Sequence, residues 1–485
     1  MKAKKLFSRI AIAVTLLFAI NASANNVQIT GTSVSGSNIT FTISWDNSWN
    51  ANIAPANWDA VWVFIKYQDC NTRLWAHAGL STLSADHATV SPLQVDPVAD
   101  GKGVFIRRSA LGGGTVAATT VTLKMTIPAG TYNYKVFGVE MVNVPQAAFD
   151  LGDGTSSSTF NSISVTSSYQ SGGLTAAVIG GASANIPATY PMGYNAIYCM
   201  KYEISQEQYV EFLNSLTYMQ QKAHTISDPI SAAGTAAFNT TTKNGIRIST
   251  PGNNSAIPAV YTCDATVGVE NNIDDGQNVA ANNLNWADLA AYLDWAALRP
   301  MTELEYEKIS RGTVARVAGE YPWGTTDIQI VTPANVINAL RPNEGYNTAV
   351  NGLCNYYSQL GPPAYTNFGY NFPLKVGFGA TGTSGRISSG AAYYGAMEMG
   401  GNVVEQVVNT TSNGVTFTGL LGDGTIAANG DANQTNWPSL TTALGVGLRG
   451  GSYTHVITTV RTSDRSLMNS NPDTRSSSNG GRGVR

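Results

Sequence analysis

The feature that most limits what this chain can fold into is a change of hydrophobic rhythm part-way along it. From Asn26 to about Ser167, side-chain character alternates at period two, as in Asn38-Ile39-Thr40-Phe41-Thr42-Ile43-Ser44-Trp45 and in Tyr132-Asn133-Tyr134-Lys135-Val136-Phe137-Gly138-Val139. Alternation of this kind puts successive side chains on opposite faces of a strand. Beyond residue 188 helical signals appear instead. Ser205-Gln206-Glu207-Gln208 has the form of a capping box, because the Ser hydroxyl can accept from the N3 amide while the Gln reaches back to the cap. Tyr209, Phe212, Leu213 and Leu216 then follow at helical spacing. A second helix is marked by Trp286, Leu289, Ala290 and Leu293 with Asn285 as cap, and a third runs from Thr302 to near Gly312 with Glu305 closing another capping box. The expected fold class is therefore α+β: an all-β sandwich over residues 25–167, then a mixed domain over 188–485. Ala129-Gly130-Thr131-Tyr132 gives the first part an immunoglobulin- or fibronectin-like cast. Residues 168–187, rich in Gly, Ser and Ala, are expected to link the two.

Length agrees, since 485 residues are more than one core usually holds. Charged residues make up 12% of the chain against about 25% in an average protein, a balance usual for secreted β-rich proteins. A net charge of -3 argues against nucleic acid as a partner, because no clustered Lys and Arg face is available to meet phosphates. Lys2, Lys4, Lys5 and Arg9 precede an apolar run from Ile10 to Ile20 and then Ala22-Ser23-Ala24. That is the layout of a cleavable secretory signal over residues 1–24, the run being short of the ~20 residues a membrane span needs. A secreted or periplasmic protein without a membrane span is expected. Cys70, Cys199, Cys263 and Cys354 fit an oxidising compartment, and their wide spacing excludes a zinc knuckle or a Cys-x-x-Cys pair. Their pairing stays open. His77 and His87 have no carboxylate pattern around them and are not read as metal ligands.

Several motifs beyond residue 188 follow one another in a recognisable order. Pro191-Met192-Gly193 and Lys201-Tyr202-Glu203-Ile204-Ser205-Gln206-Glu207-Gln208-Tyr209 come first. Asn285-Trp286-Ala287-Asp288 through Tyr292 and Trp295, Arg299, Thr302-Glu303-Leu304-Glu305-Tyr306-Glu307 and Arg311-Gly312 follow. Tyr321-Pro322-Trp323-Gly324, Ala334-Asn335 and Gly401-Asn402-Val403-Val404-Glu405 continue the series. The chain closes on Arg449-Gly450-Gly451-Ser452-Tyr453, spaced arginines and a terminal Gly-Arg-Gly-Val-Arg. In this order the motifs resemble the formylglycine-generating enzyme (sulfatase-modifying factor) family over roughly residues 188–485. The resemblance implies a formylglycine-generating-enzyme-type, C-type lectin-like fold, rich in loops and short strands.

The resemblance also implies chemistry, and the residues depart from it at the decisive point. Oxidases of this family convert a substrate cysteine to formylglycine with copper(I) held by two thiolates shortly after the Gly-Gly-Ser element. Here His455 and Val460 stand at those positions, and no cysteine follows Cys354. Imidazole and a valine methyl do not replace two soft thiolates, so copper is not expected. A branch that binds non-haem iron through three histidines is excluded as well, since only His224 and His455 lie in this part of the chain. Calcium fits better. Carried over residue by residue, the family's structural site implies the side chains of Glu398 and Glu405 with the carbonyls of Gly401 and Val403, and a second site implies Asn335 with the carbonyl of Val336, Glu344 being a guess for its acidic partner. Hard oxygens of this mixed kind are what Ca²⁺ selects. Glu398 departs from the family's frequent Asn, and Val404 and Gln406 from its Trp. Arg449, Arg461, Arg465, Arg475 and Arg485 match positions that tie loops to the core in the family.

Between those arginines lie Tyr453 to Thr459, then Ser466, Leu467, Asn469, Ser470, Asn471, Thr474, Ser476, Ser477, Ser478 and Asn479. All are reachable from an Asn codon by changing only its adenines; Met468 is the exception. The composition resembles the variable region of proteins diversified by retroelements on this same fold, where rewritten side chains form a ligand face. The candidate ligand-binding residues are Tyr453, His455, Ile457, Thr459, Leu467, Asn469 and Asn471, facing an extracellular protein or glycan. The expected function is a non-catalytic binding or surface-display protein. The alternatives are a formylglycine-generating-type oxidoreductase or other enzyme using the inherited cleft, and a retroelement-diversified ligand-binding protein with a variable tail.

Overall fold

A computed structural model describes residues 26–253, 256–357, 359–360, 366–367 and 369–485. The signal-sequence expectation for residues 1–24 lies outside them. The first region is built from two antiparallel sheets. One orders β1 (Gln28–Ser35), β2 (Asn38–Asn50) and β6 (Gly112–Thr126), with Gly79–Leu80 and Ala88–Thr89 also on β6. The other orders β7 (Tyr132–Val144), β3 (Asp59–Asp69), β5 (Val104–Arg108) and β4 (Leu93–Pro97). On β2 the period-two reading holds: Ile39, Phe41, Ile43 and Trp45 are buried against the second sheet, while the threonines between them are half-buried. β3 behaves differently. Its residues Ala60 to Ile65 are all fully buried, because both of its faces are covered. Val61, Val63 and Ile65 face the sister sheet; Ala60, Trp62 and Phe64 face the C-terminal region.

That second contact joins the two regions. Phe64 and Phe137 meet the ring of Trp295 edge-on, at 5.1 and 4.9 Å between centroids, and Trp62 Nε1 donates to the Ala296 carbonyl at 2.9 Å. A strand of the C-terminal region, β8 (Ile197–Met200), adds to the edge of β7 with Met141 opposite Met200. The segment between the two regions is packed as well: Ser167–Gly172 and Ala176–Ile179 are helical turns, and Leu174, Ile179 and Ile186 belong to the shared core.

The C-terminal region is loop-rich, with strands in two-stranded pieces and short helices. α1 (Gln206–Leu213), α2 (Tyr218–Ala223), α3 (Trp286–Trp295) and α4 (Glu303–Arg311) all start at capping boxes, whose cap residues are Ser205, Thr217, Asn285 and Thr302. α4 ends at Gly312, where φ is 75° and a side chain would collide with the Tyr393 ring. Strands β9 (Glu405–Val408) and β10 (Val446–Arg449) pair antiparallel and set Glu405 opposite Arg449. Among the described residues no helix is long and apolar enough to cross a membrane.

Because one apolar cluster runs from Trp62 and Phe137 through α1 and α3 to Val446, the two regions should unfold together. Calorimetry of the mature chain is expected to show one main transition, and Phe64→Ala to lower stability by about 3–5 kcal/mol while moving that transition as a whole. Two separate transitions, only one of them shifted, would contradict the shared core.

Candidate functional site

The C-terminal tail is organised by helix α4. Its carboxylates Glu303, Glu305 and Glu307 are all within 1% of complete burial, as are Lys308 and Arg311. A charged helix can lie inside a protein only if its charges are paired. Arg449 reaches Glu303 at 3.2 Å and Glu307 at 3.1 Å. Arg465 takes both oxygens of Glu303, Nε at 2.7 Å and Nη2 at 3.0 Å, and donates through Nη1 to the carbonyls of Ser158 and Gly181. Arg311 joins Glu307 to Glu320. Burial raises the Glu303 carboxyl, but Arg465 and Arg449 outweigh it and hold the group below its ordinary value.

The other tail arginines are also tied down. Arg475 grips Asp288 with two 2.7 Å bonds, and Asp288 in turn meets the buried His224 at 3.0 Å. Arg485 pairs with Asp100 and lies over the Trp62 ring, so the last residue of the chain is fastened to the first region. Arg461 is half-buried beside Tyr321. Sequence reasoning left out Arg482, which is fully buried, pairs with Glu405 at 2.6 Å and donates to the Met397 carbonyl at 2.7 Å. Its place in the terminal Gly-Arg-Gly-Val-Arg, flanked by glycines too cramped for a Cβ, was the available signal.

The residues between these pins divide into two kinds. Tyr453 is buried and donates to the Ser477 carbonyl at 2.9 Å, holding the two halves of the tail together. Ile457 and Asn469 are exposed; His455, Thr459, Leu467 and Asn471 are half-buried. His455 Nδ1 lies 2.7 Å from Ser452 Oγ, its carbonyl accepts from the Tyr357 amide, and burial lowers its pKa. Val460 is fully buried in an apolar cluster with Tyr321, Trp323, Cys354 and Tyr356. Cys354 is the one thiol of that cluster, and burial pushes it up, so it stays protonated. One protonated thiol, a methyl group and a half-buried imidazole do not form a two-thiolate copper site.

The oxygen donors expected for calcium are placed as follows. Glu398 and Glu405 come together with Glu203 in the interior around Arg482. Glu398 stands at φ 49°, accepts from the Gly377 amide at 2.9 Å, and burial pushes its carboxyl up to about 7. Glu405 gives Oε1 to Arg482 and leaves Oε2 buried without a hydrogen-bond partner. Gly401 and Val403 lie on the same loop, where the Val403 amide donates to Glu203 at 3.0 Å. In donor type this first set suits a hard cation. Among the described residues no three His, Cys, Asp or Glu side chains converge on a metal position, so such a cation would depend on the Gly401 and Val403 carbonyls. The second set is different. Asn335 donates to the Tyr346 hydroxyl at 3.1 Å, Val336 pairs with Tyr346 in a two-stranded ladder, and both oxygens of Glu344 accept backbone amides, from Leu340 and Lys375. Glu344 is thus engaged by the backbone on both oxygens, and Asn335 by Tyr346.

A loop-rich domain of short strands and short helices held by buried arginines, with its tail packed along one charged helix, is the class the geometry defines. Residues 171–485 match the sulfatase-modifying factor enzyme 1-like domain, and the chain belongs to that family. The match begins inside the Gly-, Ser- and Ala-rich stretch whose Leu174, Ile179 and Ile186 are packed in the core. Among solved structures the chain is similar to Treponema denticola variable protein 1, at 13% identity and a TM-score of 0.28, covering 72% of this chain and 95% of that one. No curated protein matches the sequence.

Glu303→Gln should cost about 3–5 kcal/mol, because it strands Arg465 in the interior and leaves Arg449 with Glu307 as its one carboxylate partner. The native Glu303 carboxyl titrates below its unfolded value, so its contribution is present above the unfolded pKa and lost as pH falls through the folded one. Melting against pH should therefore fall less steeply on the acid side in the variant than in the native chain. For the Glu398–Glu405 loop, adding EDTA should lower the melting temperature by several degrees if calcium is bound, since a ligand at a hundred times its Kd adds ~2.7 kcal/mol; an unchanged melt counts against calcium.

Proposed function

We propose that the chain is a secreted, non-catalytic member of its family that uses the tail as a ligand-binding face on a C-type lectin-like scaffold. The observation that carries this reading is the division of labour within the tail. Arg449 and Arg465 are consumed by buried ion pairs with α4 and Arg475 by Asp288 on α3, while Ile457, Asn469 and the hydroxyl and amide side chains beside them are left at the surface. Short polar side chains on a rigid frame suit an adaptable contact with an extracellular protein or a glycan. The oxidase reading has nothing to work with, because its two thiolate positions hold His455 and Val460. If calcium is present, Glu398, Glu405 and the Gly401 and Val403 carbonyls would hold it, and its part would be to stiffen the loop under the tail.

A second reading is that the tail is diversified by a retroelement. It is favoured by the adenine-reachable set from Tyr453 to Asn479, whose exposed members include Thr454, Ile457, Asn469 and Ser470. A near-copy of the tail-coding DNA, richer in adenine and beside a reverse transcriptase gene, establishes it; a genome without such a repeat sinks it.

The binding reading is checked on purified mature chain in two ways. Loaded with copper and offered a Cys-containing sulfatase peptide, it should form no aldehyde, and turnover would overturn the non-catalytic assignment. Alanine at Thr454, Ile457, Asn469 or Ser470 should change stability by no more than about 0.5 kcal/mol each, yet together abolish binding on an array of extracellular glycans and proteins. Tyr453→Phe, which removes a buried donor to the Ser477 carbonyl, should instead cost about 1 kcal/mol.

A further inference from the structure

Where the two regions meet, one lysine faces two carboxylates out of water. Lys201 follows β8, and its Nζ lies 3.0 Å from Glu140 on β7 and 3.7 Å from Asp59 on β3; the three side chains are at most 4% exposed. The strands run side by side in the order β8, β7, β3, and the pairing of Glu140 with Val61 and of Val142 with Asp59 sets both carboxylates on one face. The rings of Trp49 and Tyr202 stand 4.9 and 5.4 Å from Nζ. Asp59 is held rigidly: Trp45 Nε1 donates to Oδ2 at 3.0 Å, while Ser48 Oγ and the Trp49 amide both donate to Oδ1 at 2.8 Å. Burial pushes both carboxyls up against the pull of Lys201, and on Lys201 itself the two carboxylates outweigh burial and hold the ammonium up, so the proton is shared within a tightly coupled cluster.

We propose that Lys201 and Asp59 condense into an intramolecular isopeptide bond, with Glu140 moving the proton. Nζ and the Asp59 carboxyl are already near contact, the arrangement that turns a slow bimolecular condensation into a local event. Glu140 Oε2 is within general-base reach of Nζ. One ammonium proton passes through Glu140 to Asp59 Oδ2, giving a neutral amine and a carboxylic acid. The amine lone pair attacks Asp59 Cγ and forms the C–N bond, while the oxyanion on Oδ1 is met by Ser48 and the Trp49 amide. Glu140 then takes a second proton from nitrogen and returns it to Oδ2, and the C–O bond breaks to release water. Ammonium and carboxylate become amide and water, with no oxidant or cofactor. Burial favours the product, because two charges in a dry interior are replaced by a neutral amide. A cavity of about 540 Å³ lined in part by Trp49, Asn57 and Lys201 adjoins the site and gives the water a way out. The bond would join β3 of the first region to the strand that opens the C-terminal sheet contact.

The test is peptide mapping of the purified, denatured full-length secreted chain. The expected result is a peptide containing Asp59 joined to one containing an uncleaved Lys201, lighter by one water than their sum. A tryptic cut after Lys201 with the Asp59 peptide at its full mass overturns the proposal, and a link from Lys201 to Glu140 overturns the assignment of roles. Glu140→Gln keeps both reacting groups and should slow linkage at least a hundredfold; linkage at the native rate removes Glu140 from the step. Asp59→Asn should give the same linked product with ammonia released instead of water. The native map decides the matter even if a variant fails to fold.

Discussion

Glu303 and Glu307, two carboxylates on one turn of a fully buried helix, set the terms for the rest of the C-terminal region. Taking them out of water costs several kcal/mol each unless guanidinium groups meet them in good geometry. Arg449, Arg465 and Arg311 do so, and none of these can move without leaving a charge stranded. Arg449 sits at the end of β10, Arg465 in the tail loop and Arg311 on the helix itself, so one electrostatic cluster fixes three separate pieces of chain. Arg449 even leaves its Nε buried without a partner, which shows how far pairing with the helix governs its position. Ion pairing of this kind gives geometry more than net stability. It explains how a tail with little regular secondary structure has a defined path.

The first region is coupled to that frame by packing and by single polar contacts. β3 is apolar on both faces because the sister sheet covers one and α3 the other. Lys66, next along the strand, is fully buried and donates to the carbonyls of Trp295 and Gly424; burial drives its pKa well down. Arg485 returns to Asp100 and Trp62. The first region is therefore part of the core and not a spacer strung ahead of it, and the placement of β8 in its second sheet makes the same point in hydrogen bonds.

Much of this was legible in the sequence where local chemistry decides structure. The capping boxes at Ser205 and Thr302, the Asn285 cap and the alternation on β2 are rules of a few residues, and each is met by its own neighbours. Thr217-Tyr218-Met219-Gln220 carries the same capping pattern and starts α2, but too few apolar residues follow it to show a helical stripe in the sequence. What was not legible depends on contacts far apart in the chain. Leu174, Ile179 and Ile186 look like linker residues until the core that receives them exists. Tyr453 looks like one more member of a variable loop, and only the carbonyl of Ser477 makes it a fixed point. Arg482 looks like a solvated terminal cation, and only Glu405 gives it a reason to be buried.

The same distinction bears on positions 455 and 460. A copper pair needs two soft ligands whose spacing is held by the surrounding fold. Here the Gly450 and Gly451 turns and the Arg449 pin fix the path of the chain that leads to both positions. Val460 has been absorbed into an apolar cluster with Trp323 and Tyr356, so a thiolate at that position would be a buried anion among aromatic rings. Position 455 lies nearer the surface, where an imidazole bonded to Ser452 fits without strain. The two positions lie in different environments, one in the core and one at the rim, so cysteines placed at both would not by themselves meet a single soft metal ion in a common setting.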